Sequence, residues 1–110
     1  MRGVLEYLHA PQTVVFAGFS QGGAMAYRAA SDFGRPAGVI VLAADVPPDV
    51  TSLDVPVLIG RGEHDDWYTA EKLKKDLKFL TKAEVCVFDG AHEWTDEFRA
   101  AAARFLERLR

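Results

Sequence analysis

The stretch VVFAGFSQGGAMAYRAA, residues 14–30, decides how the rest of the chain is read. The run TVVFAGF, residues 13–19, is unbroken, apolar and rich in β-branched residues, which predicts a strand buried on both faces. From Gln21 to Asp32 the alanines, Met25 and Tyr27 favour helix, and Gly34 and Pro36 close it. Between the two, Gly18-Phe19-Ser20-Gln21-Gly22 fits G-x-S-x-G, a serine on a tight strand-to-helix turn whose small neighbours let the backbone pass. Such a turn exposes the serine Oγ and turns the backbone N–H of Gln21 toward a developing oxyanion. Five residues alone are a weak signal, because a serine that merely caps the helix leaves the same trace.

Outward from that turn, AGVIVLAAD (37–45), PVLIGRG (56–62) and AEVCVFDG (83–90) are three further strand-like runs. The proline-bearing residues 46–56 read as an extended loop. Residues 2–9 predict a short amphipathic helix with Val4, Leu5 and Leu8 on one side. Residues 69–81 predict another, with Leu73, Leu77 and Leu80 inward and Lys72, Lys74, Lys75 and Lys78 as a solvated face. Residues 95–110 predict a last one, with Phe98, Ala102, Phe105 and Leu109 on one stripe. Strands alternating with helices imply an α/β fold, a parallel sheet of about four strands with helices on both faces. The 110 residues read as a single domain.

In a sheet of that kind, chemistry belongs at the carboxyl ends of the strands. Ser20 follows the first strand, Glu63-His64-Asp65-Asp66-Trp67-Tyr68 the third, and Ala91-His92-Glu93-Trp94 the fourth. A nucleophile, an acid and a base thus fall on one edge, in the chain order that G-x-S-x-G hydrolases use. Serine needs an imidazole to take its proton, and the imidazole needs a carboxylate to fix its tautomer. Ser20, Asp65 and His92 are the expected catalytic residues and the Gln21 N–H the expected oxyanion donor. Asp65 is preferred to Asp66 by its spacing from Gly62, and His92 to His64 and His9. Phe19, Trp67 and Tyr68 stand as possible substrate-binding residues, with core or rim packing the default for Phe19 and packing over the core an equal reading for Trp67 and Tyr68. Glu93 is placed to stabilise the histidine loop.

GFSQGG (18–23), GEHD (62–65) and GAHE (90–93) together resemble the phospholipase/carboxylesterase branch of the α/β-hydrolases, which includes acyl-protein thioesterases. The resemblance runs over nearly the whole chain. It implies a serine esterase acting on short-chain carboxylic esters or thioesters through an acyl-enzyme, with no cofactor. It also implies further strands ahead of the nucleophile strand and a loop donating a second oxyanion N–H. Nothing in residues 1–13 supplies that loop, so the chain reads as a truncated half of the fold, lacking the usual N-terminal strands. Its first strand then becomes an apolar edge, which predicts a homodimer joined near Thr13 to Phe19. The other reading is a catalytically impaired half-hydrolase serving as a binding or assembly module.

Composition is consistent with either. A net charge of −3 with scattered basic residues offers no footprint for nucleic acid. No apolar run is long enough to span a bilayer. The single cysteine, Cys86, precludes an intrachain disulfide and reads as a buried, inert thiol, with a cytoplasmic setting expected. No histidine or cysteine spacing suits a metal.

Overall fold

In the computed structural model, residues 14–109 are described. The helix expected over residues 2–9, His9 and Thr13 lie outside them. The elements are β1 (Val15–Phe19), α1 (Gln21–Phe33), β2 (Gly38–Leu42), β3 (Leu53–Gly62), α2 (Ala70–Asp76), β4 (Leu80–Phe88) and α3 (Asp96–Arg108). The four strands form one parallel sheet in the order β1-β2-β3-β4, so every carboxyl end lies on the same edge.

Close approach of helix to sheet shows how the faces are covered. A Cβ on Gly23 of α1 would come within 2.9 Å of Val41 Cγ1. On the other face, a Cβ on Gly38 would meet Phe105 and Leu109, and one on Gly60 would sit 2.2 Å from the Phe98 ring. Because successive strand residues point to opposite faces, α1 packs on the Val39–Val41 side and α3 on the Gly38–Leu42 side. Helices therefore lie on both faces, and β2, between them, is buried along its whole length.

Four expectations change, the first being that β3 already begins at Leu53, inside the residues expected as an extended loop, by pairing with Leu80. β1 is only partly covered, because it forms an edge of the sheet among the described residues and has a neighbour on one side alone. The helix over residues 69–81 is a single element of seven residues, and the chain is already extended at Leu80, which opens β4. Leu77 is consequently exposed, while Leu80 is buried as a strand residue. Cys86 is half-buried rather than fully buried, and burial, then nearby Glu97, push its thiol up despite Arg104. Thr95 starts α3 as its cap, accepting a hydrogen bond from the Phe98 N–H, and Phe98, Ala102 and Phe105 are buried as the stripe predicts.

Phe98 is the hinge pin of this packing. It fills the space above Gly60, and its ring lies 5.4 Å from Trp94 and 6.3 Å from Phe88. Phe98→Ala is expected to cost about 3–5 kcal/mol of stability, the usual range for emptying a buried aromatic position; urea unfolding followed by far-UV circular dichroism measures it.

Candidate active site at the strand ends

β1 ends in a turn that the sequence tightens. A Cβ on Gly18 would lie 2.0 Å from the Gly22 carbonyl oxygen, a backbone contact that only glycine permits. Gly22 itself has open space around it among the described residues, so the second tight position is Gly23, against Val41 and Ala44, rather than Gly22. Ser20 takes φ 57° and ψ −119°, a backbone region that side-chain-bearing residues rarely enter. Its N–H donates to the Leu42 carbonyl at 2.9 Å, which ties the turn to the end of β2. Ser20 occupies the cap position of α1, yet its side chain makes no capping hydrogen bond. The hydroxyl faces His92 instead, with Oγ 3.0 Å from Nε2.

His92 and Asp65 are brought together by a ladder that continues past the strand ends. Gly62 pairs with Phe88, then the Glu63 N–H donates to the Phe88 carbonyl and the His64 N–H to the Gly90 carbonyl, each at 2.8 Å. Gly62 permits the approach: a Cβ there would lie 2.1 Å from the Ala91 carbonyl oxygen. The exposed Glu93 carboxylate accepts from the Ala91 N–H at 2.7 Å and ties the histidine loop to itself. His92 Nδ1 then lies 2.8 Å from Asp65 Oδ2.

Asp65 is buried, and its other oxygen, Oδ1, accepts from the Trp67 and Tyr68 N–H groups at 2.8 and 2.9 Å. Burial alone would push this carboxyl up; the Tyr68 N–H, the His92 ring and the Trp67 N–H outweigh it and hold Asp65 below the usual carboxylate range. An ionised carboxylate can only accept, so His92 Nδ1 carries the proton. In the neutral ring Nε2 is then left to accept the Ser20 hydroxyl. The Gln21 N–H is at the first position of α1, where no intrahelical acceptor exists.

A cavity of about 430 Å³ opens here, lined by Ser20, Gln21, His64, Asp66, Trp67 and His92 among others. Trp67 and Phe19 flank the imidazole, with ring centroids 5.3 and 5.2 Å from it. Tyr68 does not line the cavity. Its side chain is fully buried and its hydroxyl donates to Asp76 Oδ2 at 2.8 Å, so the substrate-contact reading is replaced by packing beneath the loop. His64 is exposed on the rim. With Glu63 and Asp89 it forms a group whose potential ligand atoms lie within 4.8 Å of one another, but all three are exposed and their geometry is that of an ion pair when the histidine is protonated.

The sequence reading missed Asp76, which looks like one more polar residue of a solvated helix. Its side chain is turned inward, accepting from the Tyr68 hydroxyl and from the Val46 N–H at 3.2 Å. Burial raises its pKa, with Asp45 adding to the rise, against the Tyr68 hydroxyl, the Val46 N–H and Lys75. No local pattern marks it, because its partners arrive from residues 46 and 68.

Solved structures place this architecture. The Bacillus cereus carboxylesterase superposes with a TM-score of 0.81 at 15% identity, over 99% of this chain and 56% of its own. The fold is that of the α/β-hydrolases. Arabidopsis thaliana SOBER1 gives 0.73 at 22% identity over 97% of this chain and 60% of its own. An alpha-beta serine hydrolase homologue from Coxiella burnetii gives 0.68 at 24%, over 98% and 52%. The chain thus spans 52–60% of the length of these three solved chains. No protein-family model matches the chain, and no curated protein sequence does.

Two measurements test this electrostatic and steric account. Strain at Ser20 costs about 1–3 kcal/mol in comparable cases, so Ser20→Gly should be more stable than Ser20→Ala by about 1 kcal/mol, although both lose the hydroxyl; equal unfolding midpoints would contradict it. Stability should also depend on pH with opposite signs at the two buried aspartates. Asp65, held low, stabilises the fold above the ordinary aspartate value near 3.9, and that contribution is lost as pH falls through its native value. Asp76, held high, does the reverse, and stability declines as pH rises through its native value. Asp65→Asn should flatten the acid limb of a stability–pH curve and Asp76→Asn the decline above it, as read by urea unfolding at a series of pH values.

Proposed function

We propose that this chain carries the nucleophile, acid and base of a serine esterase that hydrolyses short-chain carboxylic esters or thioesters. The observation that supports it is the unbroken relay from Ser20 Oγ to His92 Nε2 at 3.0 Å and from His92 Nδ1 to Asp65 Oδ2 at 2.8 Å. Ser20 Oγ attacks the acyl carbonyl while His92 Nε2 takes its proton, and Asp65 steadies the imidazolium. The Gln21 N–H receives the oxyanion of the tetrahedral intermediate. Collapse expels the alcohol or thiol, protonated by His92, and leaves Ser20 acylated. Water, deprotonated by His92, attacks the acyl carbon, and Ser20 recovers its proton as the carboxylic acid departs. The steps balance with Ser20, His92, the ester and one water, and none calls for a cofactor. Trp67 and Ala91 give a cavity otherwise lined by polar residues two apolar side chains against which a small acyl group can lie.

Loss of one oxyanion donor typically lowers turnover about 100- to 1000-fold, so a site using the Gln21 N–H alone is a slow one. Ser20→Ala is expected to lower hydrolysis of a short-chain p-nitrophenyl ester by more than about 1000-fold, with the unfolding curve still cooperative. A serine-directed phosphonate should label the wild type stoichiometrically at Ser20. Hydrolysis undiminished in Ser20→Ala would refute the assignment.

A second reading, an assembly module with an impaired site, draws on the edge position of β1 and on the share of the matched chains that is covered. It shares one element with the first: the β1 edge joins a second copy of the chain. Val15–Phe19 carries no charge, so a two-fold partner brings no like charges together along that edge. Sedimentation at micromolar concentration should give a dimer; a stable monomer counts against this pairing.

A further inference from the structure

Lys72 looks like one of four lysines on a solvated helix, but its ammonium is turned onto the acid loop. Nζ donates to the Trp67 carbonyl at 2.8 Å and lies 4.5 Å above the centre of the Trp67 ring. One cation thus holds both the backbone and the indole of the same residue. The rest of that loop is equally tied. Asp65 Oδ1 takes the N–H groups of Trp67 and Tyr68, and Arg61 Nε donates to the Tyr68 carbonyl at 3.1 Å. All four backbone polar groups of residues 67 and 68 are therefore held by charged side chains.

The indole so held meets His92 edge to face, at 5.3 Å and 64°. Phe19 contacts the same imidazole at 5.2 Å. His92 is hydrogen-bonded at both nitrogens. Hydrogen bonds tolerate some bending and its Cβ stem can rotate, so the ring can still tilt about the Nδ1–Nε2 direction. The two flanking rings restrict that tilt, and Trp67 is the one that depends on a distant side chain for its own placement.

We infer that Lys72 is a positioning residue for His92, acting through the Trp67 indole. It touches neither substrate nor the reacting atoms. For its kinetic consequence the inference rests on the esterase reading; for its structural consequence it does not. Lys74, on the same helix and exposed, supplies the control for loss of a surface charge.

The test joins kinetics to nuclear magnetic resonance. Lys72→Met keeps the aliphatic stem and removes the charge. It should lower kcat about tenfold, since small misplacements of a catalytic group are costly, and leave KM within about twofold of wild type. Lys72→Arg, which can still stack on the indole and reach the carbonyl, should restore most of the loss, and Lys74→Met should change nothing. The His92 Cε1–H resonance, assigned by its disappearance in His92→Gln, lies in the ring current of Trp67. It should shift in Lys72→Met and in Trp67→Leu, and Lys72→Met should add no further shift or loss of kcat in the Trp67→Leu background. An unmoved resonance in a folded Lys72→Met, or additive effects of the two substitutions, overturns the inference. If instead Ser20→Ala retains full hydrolysis, the esterase reading fails, and the resonance shift still decides for or against the Lys72–Trp67–His92 contact.

Discussion

The contact of the Gly18 backbone with the Gly22 carbonyl is the constraint on which the site depends. Strand and helix axes meet there with no room for a side chain, so β1 can turn into α1 within a single residue. That residue is Ser20, and the turn forces it into positive φ. Its hydroxyl is thereby lifted off the helix end it would otherwise cap. The same turn leaves the Gln21 N–H without an intrahelical acceptor, next to the hydroxyl. A longer connection would relieve the strain, and it would also let the serine fold back to satisfy the helix.

Two buried aspartates show how environment decides what a carboxyl does. Asp65 accepts from two backbone N–H groups and an imidazole, and these outweigh its burial, so it stays ionised and orients the ring. Asp76 accepts from a tyrosine hydroxyl and one N–H, which do not, and burial dominates. Tyr68 links the two: its N–H serves Asp65 and its hydroxyl serves Asp76. The acid loop is therefore anchored to α2 through a side chain that first reads as a pocket wall.

What could be read from residues alone followed the range of the forces involved. The central strands β2 and β3, the tight turn and the stripe on α3 are local or periodic patterns, and they were legible. So was the grouping of Ser20, Asp65 and His92, because a parallel sheet brings every strand end to one edge. The partial exposure of β1 was not, because it follows from its edge position. Nor was the short α2, since Leu77 and Leu80 keep helical spacing while the chain has already left the helix to form β4. The turn of Lys72 onto the acid loop and of Asp76 into the core was also illegible. Each is fixed by partners outside its own helix, and a helix dense in charge presents the same pattern whether or not one of those charges faces in.

The ladder that runs on from β3 and β4 holds Asp65 and His92 together, whereas Ser20 is tied to the end of β2. The two pieces meet through the Ser20–His92 hydrogen bond, the Phe19–His92 ring contact and the pairing of β2 with β3, whose twist sets their relation. A change in that twist alters the Ser20–His92 separation and leaves the His92–Asp65 separation untouched. The separation of the ring from its carboxylate and its distance from the hydroxyl are thus separately adjustable quantities. Substitutions in the sheet core far from the cavity can tune the second while the first stays constant.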